Sequence, residues 1–274
     1  FYPMLERWVK MARKYHLKVW FRGNFSGWER WFEYEKIDRQ THIAKTREFI
    51  EKHPDIFENV DVFSACPECE NGGPGDPRMN GDAAGHKKFL IDEHKVAQEA
   101  FKKIGKNVDT RYNSMNGDVA RLIMDPETTK ALGGLVVVDH YVRTPEQLNE
   151  DVTEYAKLSG GKVVLGEFGV PIPDINGNLS EIEQAEWLTE VLPLLSQNKD
   201  LVGLNYWTNV GGSTELWDSA GRARVGVESL KQAYSPNVIK GTIKGIGNRK
   251  VSDISITGPE ITKVVEDDGI FAIP

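Results

Sequence analysis

Two cysteines in 274 residues, Cys66 and Cys69, are too few for a small domain stapled by several disulfides. They stand as Cys-Pro-Glu-Cys, which leaves four readings open: a redox motif, half a zinc site, a small disulfide or two free thiols. Zinc needs a second pair of ligands, and no matching Cys or His pair is evident. A thioredoxin-type site needs a helix opening at the motif, whereas Glu-Asn-Gly-Gly-Pro-Gly follows. Neither a metal nor an organic cofactor is therefore expected. No apolar run reaches the length of a membrane span. Positive charge is in deficit, with 34 Lys and Arg against 41 Asp and Glu, and a net charge of −7 argues against nucleic acid as a partner. The first strand is not followed by Gly-x-Gly-x-x-Gly, and there is no phosphate loop, which argues against a dinucleotide fold. No internal repeat or low-complexity segment stands out.

What remains is an alternation of strands and helices in a chain long enough for one large α/β domain or two modest ones. Residues 2–15 read as a helix, with Leu5, Trp8, Ala12 and Tyr15 at helical spacing; Trp8 and Trp187, inside helices, read as packing aromatics. Strands are expected at 17–24, 60–66, 108–115, 135–142, 162–165 and 201–207, with helices at 41–52, 89–104 and 225–234. Thr144-Pro145 with Gln147, and Ser180 with Glu183, read as capping boxes that open two more helices. The second of these should face inward with Ile182, Ala185, Leu188, Leu192 and Leu195. Asp174-Ile-Asn-Gly-Asn178 has a calcium-loop flavour but lacks the distal glutamate, and reads as a turn.

Such alternation suits either an open doubly wound sheet or a (β/α)8 barrel. Polar and aromatic residues sit at nearly every strand end: Arg22 and Asn24, Glu68, Asn113, His140 and Tyr141, Glu167, Trp207. That distribution favours the barrel, whose active site collects from many strand ends. After Tyr234 the pattern changes to short alternating apolar runs separated by turn residues. Residues 1–235 are thus expected to form the barrel domain, and 236–274 the start of an all-β sandwich.

Lys162–Pro171 organises the rest. Three apolar residues run into Gly166, then Glu167, then Phe168, Gly169, Val170 and Pro171. The first glycine should let the backbone approach a neighbour and the second should permit a turn, leaving Glu167 on the rim. A second strand also delivers a glutamate, Glu68, with Glu70 and Asn71 close behind. Two carboxyl groups on separate strand ends are what glycoside hydrolysis needs: one protonates the leaving oxygen, the other attacks the anomeric carbon or activates water. Trp28, Trp31 and Trp207 lie at or just past strand ends, where flat sugar faces stack on aromatic rings.

On these residues the chain resembles the large clan of retaining (β/α)8-barrel glycoside hydrolases that includes the cellulase-like families. In that clan the acid/base glutamate ends strand four and the nucleophile ends strand seven. Glu68 and Glu167 are likewise three strands apart, so the resemblance implies that strands three to eight are present and strands one and two lie upstream of Phe1. It implies Glu167 as nucleophile and Glu68 as acid/base, with Glu70 as the alternative acid. It further implies that Arg22 keeps the nucleophile ionised, that Tyr141 beside His140 hydrogen-bonds it, and that Trp207 floors the sugar site. Asn24, Trp28, Trp31 and Asn71 complete the expected substrate contacts. The clan has Asn-Glu at the acid/base, where this chain has Pro67-Glu68, and its His-x-Tyr is compressed to His140-Tyr141. The terminal strands resemble carboxypeptidase-regulatory modules of secreted enzymes. The expectation is a secreted or cell-surface monomer acting on an oligo- or polysaccharide, with a non-catalytic carbohydrate-binding barrel as the alternative.

Overall fold

The computed structural model describes residues 2–27 and 35–235, together with the strand backbone of 239–242, 255–257, 262–264 and 270–273. Helix α1 (Tyr2–Lys14) leads into β1 (Trp20–Arg22), and α2 (Arg39–Lys52) precedes β2 (Val62–Ser64). Two helices, α3 (Pro77–Asn80) and α4 (Ala83–Lys103), separate β2 from β3 (Ser114–Asn116). Next come α5 (Gly117–Ile123), α6 (Pro126–Ala131), β4 (Leu135–Asp139), α7 (Pro145–Ser159) and β5 (Lys162–Phe168). The α/β part closes with α8 (Pro173–Asn176), α9 (Glu181–Gln197), β6 (Leu201–Tyr206) and α10 (Gly226–Tyr234).

All six of these strands pair in parallel, in two groups: β1 with β2, and the row β3-β4-β5-β6. Backbone bonds carry the first group onto the second. Phe63 N–H donates to Asp109 C=O (2.9 Å), and Glu68 N–H donates to Ser114 C=O (2.9 Å). Parallel strands must be covered by crossover helices, and a core of Val136, Val138, Val163, Leu165 and Phe168 packs under the helices through Leu148, Leu188 and Val191. On the other face of the sheet, Leu135, Val137 and Val164 form a separate small cluster with Trp20 and Tyr112. This split follows the period of two along a strand, and it decides which strand-end residues meet.

Several boundaries differ from those read in the sequence. The third strand shrinks to three residues because the Asp109 carboxylate takes the Arg111 N–H (3.0 Å), a local turn that competes with strand pairing. Helices α5 and α6 were not anticipated, although Asp125-Pro126 is a readable start: the Asp125 side chain caps Thr128 N–H at 2.8 Å. Ser180 and Glu183 do form a capping box, whereas Thr144 only accepts from Gln147 N–H. Ile182 is exposed rather than inward, since repeated three-residue steps carry it roughly 100° off the stripe formed by the later apolar residues. On α1 the buried residue is Val9, and Trp8, expected to pack, is 60% exposed. Asp174–Asn178, read as a turn, is instead mostly the single helical turn α8, capped at Gly177; Asn176 accepts from Ile172 N–H and donates to Val142 and Arg143 C=O. Beyond Tyr234, β7 (Ile239–Thr242) pairs antiparallel with β10 (Ile270–Ile273), and β8 (Ser255–Thr257) with β9 (Thr262–Val264). No helix among the described residues is long and apolar enough to cross a membrane.

The register slips at one place that matters. Val138 sits opposite Leu165, but Asp139 sits opposite Glu167, so Gly166 is an extra residue in β5. A Cβ on Gly166 would lie 2.5 Å from Asp139 Oδ1 and 3.0 Å from a Val137 methyl. Only glycine tolerates that approach. Gly169 serves the same purpose rather than the expected turn, because its Cβ would lie 2.3 Å from Trp207 C=O. Gly166→Ala is expected to cost about 1–3 kcal/mol through overpacking, read as a lowered midpoint in thermal or denaturant unfolding.

Candidate active site

The extra residue at Gly166 turns the Glu167 side chain onto the face occupied by Asp139. Along β4, Leu135, Val137 and Asp139 alternate onto that face, and Tyr141 beyond the strand end joins them. On β1, Trp20 lies on the same face and Arg22 follows two residues later. The outcome is a bonded group drawn from three strands. Arg22 donates through one nitrogen to Glu167 Oε1 and through the other to Asp139 Oδ2 (2.8 Å), while Tyr141 O–H donates to Glu167 Oε2 (2.8 Å).

Glu68 arrives from the loop after β2. One carboxylate oxygen each from Glu68, Asp139 and Glu167 lies within 4.8 Å of the other two, with Asp139 and Glu167 buried and Glu68 half-buried. Crowding three acids into a desolvated corner has a defined electrostatic result. Burial, reinforced by Asp139 and Glu167, pushes the Glu68 carboxyl up to about 8, with Arg22 acting against the rise. Burial also raises Asp139, opposed by Arg22. For Arg22 itself burial works against the charge, but Asp139 and Glu167 outweigh it and hold its pKa above the usual value. The Tyr141 phenol is raised by burial and then by Glu167, so it stays a hydrogen-bond donor at neutral pH.

Asp139 was not foreseen as a site residue. Its signal was its parity with Leu135 and Val137, which aims it away from the helix-side core. The same parity corrects His140. Its side chain points to α7, where Nε2 lies 2.7 Å from Asp151 and the ring packs edge-on against Tyr155. His140 is therefore not brought to the carboxylates. Asn24 is also occupied elsewhere: its amide donates to Pro67 C=O (2.5 Å) and its oxygen accepts from Ser26 N–H, so it braces the loop carrying Glu68.

Glu70 lies outside the carboxylate group. It is buried, and its Oε1 accepts from Asn116 N–H (2.7 Å) and Asn116 Nδ2 (2.9 Å); Asn71 lies next to the same amide, at 3.5 Å. Burial raises Glu70 too, with the Asn116 donors opposing. Trp207 follows β6 and is 46% exposed, available for contact. Trp28 and Trp31 lie outside the described residues. Asn113 is buried against Thr110 C=O, and Tyr206 hydrogen-bonds Val170 and Thr214 C=O, so both are structural.

No family model matches the sequence, and no curated protein matches it. Solved structures do. A structure from a study of two fungal β-1,4-galactanases aligns with a TM-score of 0.58 at 15% identity over 83% of this chain and 81% of that one. A β-glucuronidase from Ruminococcus gnavus aligns at 0.56 and 15% identity over 84% of this chain and 42% of that one. The β-glucuronidase of Dictyoglomus thermophilum aligns at 0.55 and 14% identity, covering 85% and 43%. The chain thus spans less than half the length of the glucuronidases it matches. This likeness establishes the fold class: a TIM-barrel-like α/β fold with parallel strands, shared with glycoside hydrolases.

The raised Glu68 carboxyl has a consequence for stability. Its value rises from 4.5 to about 8 on folding, so the folded chain binds the proton more tightly than the unfolded one. The corresponding stability is fully present below pH 4.5 and is lost as pH rises through about 8. Thermal unfolding midpoints measured across this window are expected to fall with pH in the wild type and to fall less in Glu68→Gln.

Proposed function

We propose that this chain carries the active site of a retaining glycoside hydrolase acting on β-linked glycans. The observation that carries the reading is the close approach of Glu68 to Glu167, with one oxygen of each within 4.8 Å of the other. Retaining enzymes hold their two carboxyl groups about 5–5.5 Å apart, whereas inverting ones leave roughly 6.5–9.5 Å for a water. An approach this close between nearest oxygens favours the short class for Glu68 and Glu167.

The roles follow from the environments. Glu68, raised to about 8, is protonated at neutral pH and donates its proton to the departing glycosidic oxygen. Glu167 attacks the anomeric carbon, its two oxygens held by Arg22 and Tyr141 so that one face stays aimed at the sugar. The leaving group departs as an alcohol and a glycosyl ester forms on Glu167. Glu68, now a carboxylate, takes a proton from water, which attacks the same carbon and restores both residues. The balance needs only water as co-reactant. Glu70 is the less suited acid because Asn116 already occupies its Oε1. Trp207, whose backbone N–H donates to the Phe168 carbonyl one residue past Glu167, offers a part-exposed ring for stacking on the sugar. The β-linkage is favoured by the named activities of the galactanase and glucuronidase neighbours, which share the fold.

The test is a panel of aryl β-glycosides assayed with the wild type and with Glu68→Gln, Glu70→Gln and Glu167→Gln. Glu68→Gln and Glu167→Gln are expected to lower kcat by at least about a hundredfold, and Glu70→Gln by far less. Wild-type kcat/KM should decline as pH rises through about 8, and that limb should vanish in Glu68→Gln. Products should form with retained anomeric configuration, read by proton NMR before mutarotation. Inverted product would overturn the mechanism, and sugar binding without turnover would favour a carbohydrate-binding barrel.

A further inference from the structure

Glu68 sits inside a small loop closed by a disulfide. Cys66 and Cys69 are joined as a disulfide across Pro67 and Glu68, with their Cα atoms 5.4 Å apart. Both cysteines are 1% exposed. Within that ring Glu68 adopts φ +50, the left-handed region that a non-glycine side chain disfavours. Such a conformation persists only where its surroundings over-determine it. Here they do so from several sides. Pro67 has a fixed φ and its carbonyl accepts from Asn24, Glu68 N–H donates to Ser114 C=O (2.9 Å), and Asn71 N–H returns to Glu68 C=O (3.0 Å).

The bridge has its own backing. His42 on α2 places Nε2 at 3.1 Å from Cys66 Sγ, where it also accepts Phe25 N–H at 3.0 Å. Its other nitrogen bonds Glu93 on α4, and both His42 and Glu93 are fully buried. This ties the sulfur end of the ring to two helices of the outer layer, while the Glu68 end faces the carboxylates. The buried His42–Glu93 pair and the carboxylate corner are therefore linked through four residues of chain.

The geometry points to the Cys66–Cys69 disulfide as a positioning clamp for Glu68, backed by His42 and Glu93, that holds the acid in its left-handed turn against Glu167. The inference rests on the proposed role of Glu68. It assigns the cysteines a part in catalysis through another residue, not contact with substrate. A bridge over so few residues removes little entropy from the unfolded chain, since that gain grows with loop length. Its effect is expected to be local. The charged and titratable groups that face Glu68 are Arg22 from β1, Asp139 and Tyr141 from β4 and the turn after it, Glu167 from β5 and Glu70 from its own turn. Releasing the turn moves Glu68 away from this set toward solvent, so its pKa should drop toward the ordinary carboxylate range.

Three measurements on the whole chain test this. Alkylation of the denatured, unreduced protein with iodoacetamide, followed by intact mass, should add no label; two labels per chain would overturn the clamp. Elemental analysis should find no stoichiometric zinc or copper, because a metal held by His42, Cys66 and Cys69 would require both thiols reduced and would equally overturn it. In Cys66→Ser/Cys69→Ser, kcat should fall about tenfold to a hundredfold with KM within about twofold, as for a misplaced catalytic group. The alkaline limb of its kcat/KM profile should also move to lower pH. Wild-type kinetics and an unmoved limb in the double variant would refute the clamp while leaving the glycosidase reading intact. Full activity in Glu68→Gln would instead refute that reading. Should the double variant not fold, the wild type is reduced with dithiothreitol, whose two thiols become a cyclic disulfide as the bridge gains two electrons and two protons. Activity should fall and return on reoxidation with oxidised glutathione; unchanged activity of the fully reduced protein overturns the clamp.

Discussion

One guanidinium holds the candidate site together. Arg22 donates to both Asp139 and Glu167 while its charge also acts on Glu68. Three carboxyl groups in a corner this dry repel one another, and desolvation alone would drive them all toward the neutral form. A planar, permanently charged donor bonds Asp139 and Glu167 directly and opposes the rise that burial imposes on Asp139. Glu68, reached by that charge but not by a hydrogen bond from Arg22, is pushed up to about 8. Glu68 and Glu167 thus meet in different environments, only the second of them hydrogen-bonded to Arg22.

That arrangement depends on a backbone irregularity. Were β5 regular, Gly166 and Glu167 would alternate faces, and Glu167 would turn toward the helix-side core with Leu165. The extra residue shifts the register by one and brings Glu167 level with Asp139. Because the bulge needs a residue without a side chain against Asp139 and Val137, the glycine before the glutamate is structural in a specific sense. It aims the glutamate. Glu68, by contrast, is set in a left-handed turn inside the loop closed by Cys66 and Cys69.

Much of this was readable in the residues. The alternation of apolar strands with capped helices gave the parallel α/β architecture, because local periodicity and capping chemistry are properties of short segments. Period-two parity along Leu135–Asp139 held the information that Asp139 faces inward and His140 outward. The compressed His140-Tyr141 pair drew attention to both residues, yet neighbours on one strand end cannot both face the same side. Asn24 shows a different limit: an asparagine at a strand end looks the same in sequence whether it meets a ligand or a carbonyl such as that of Pro67. Trp8 and Ile182 fell on helical stripes whose exposure is set by what packs against them.

By itself, then, the sequence determined the strands and most of the helices, their order along the chain, and the presence of glutamates at two strand ends three strands apart, since each is encoded within a few consecutive residues. Only the tertiary structure decided which acids share a corner, that Arg22 bonds two of them, that Asn116 claims Glu70, and that Cys66 and Cys69 close a ring around Glu68. Those outcomes turn on distances across the fold, and an ionisable group's charge depends on neighbours a hundred residues away along the chain as much as on its own chemistry.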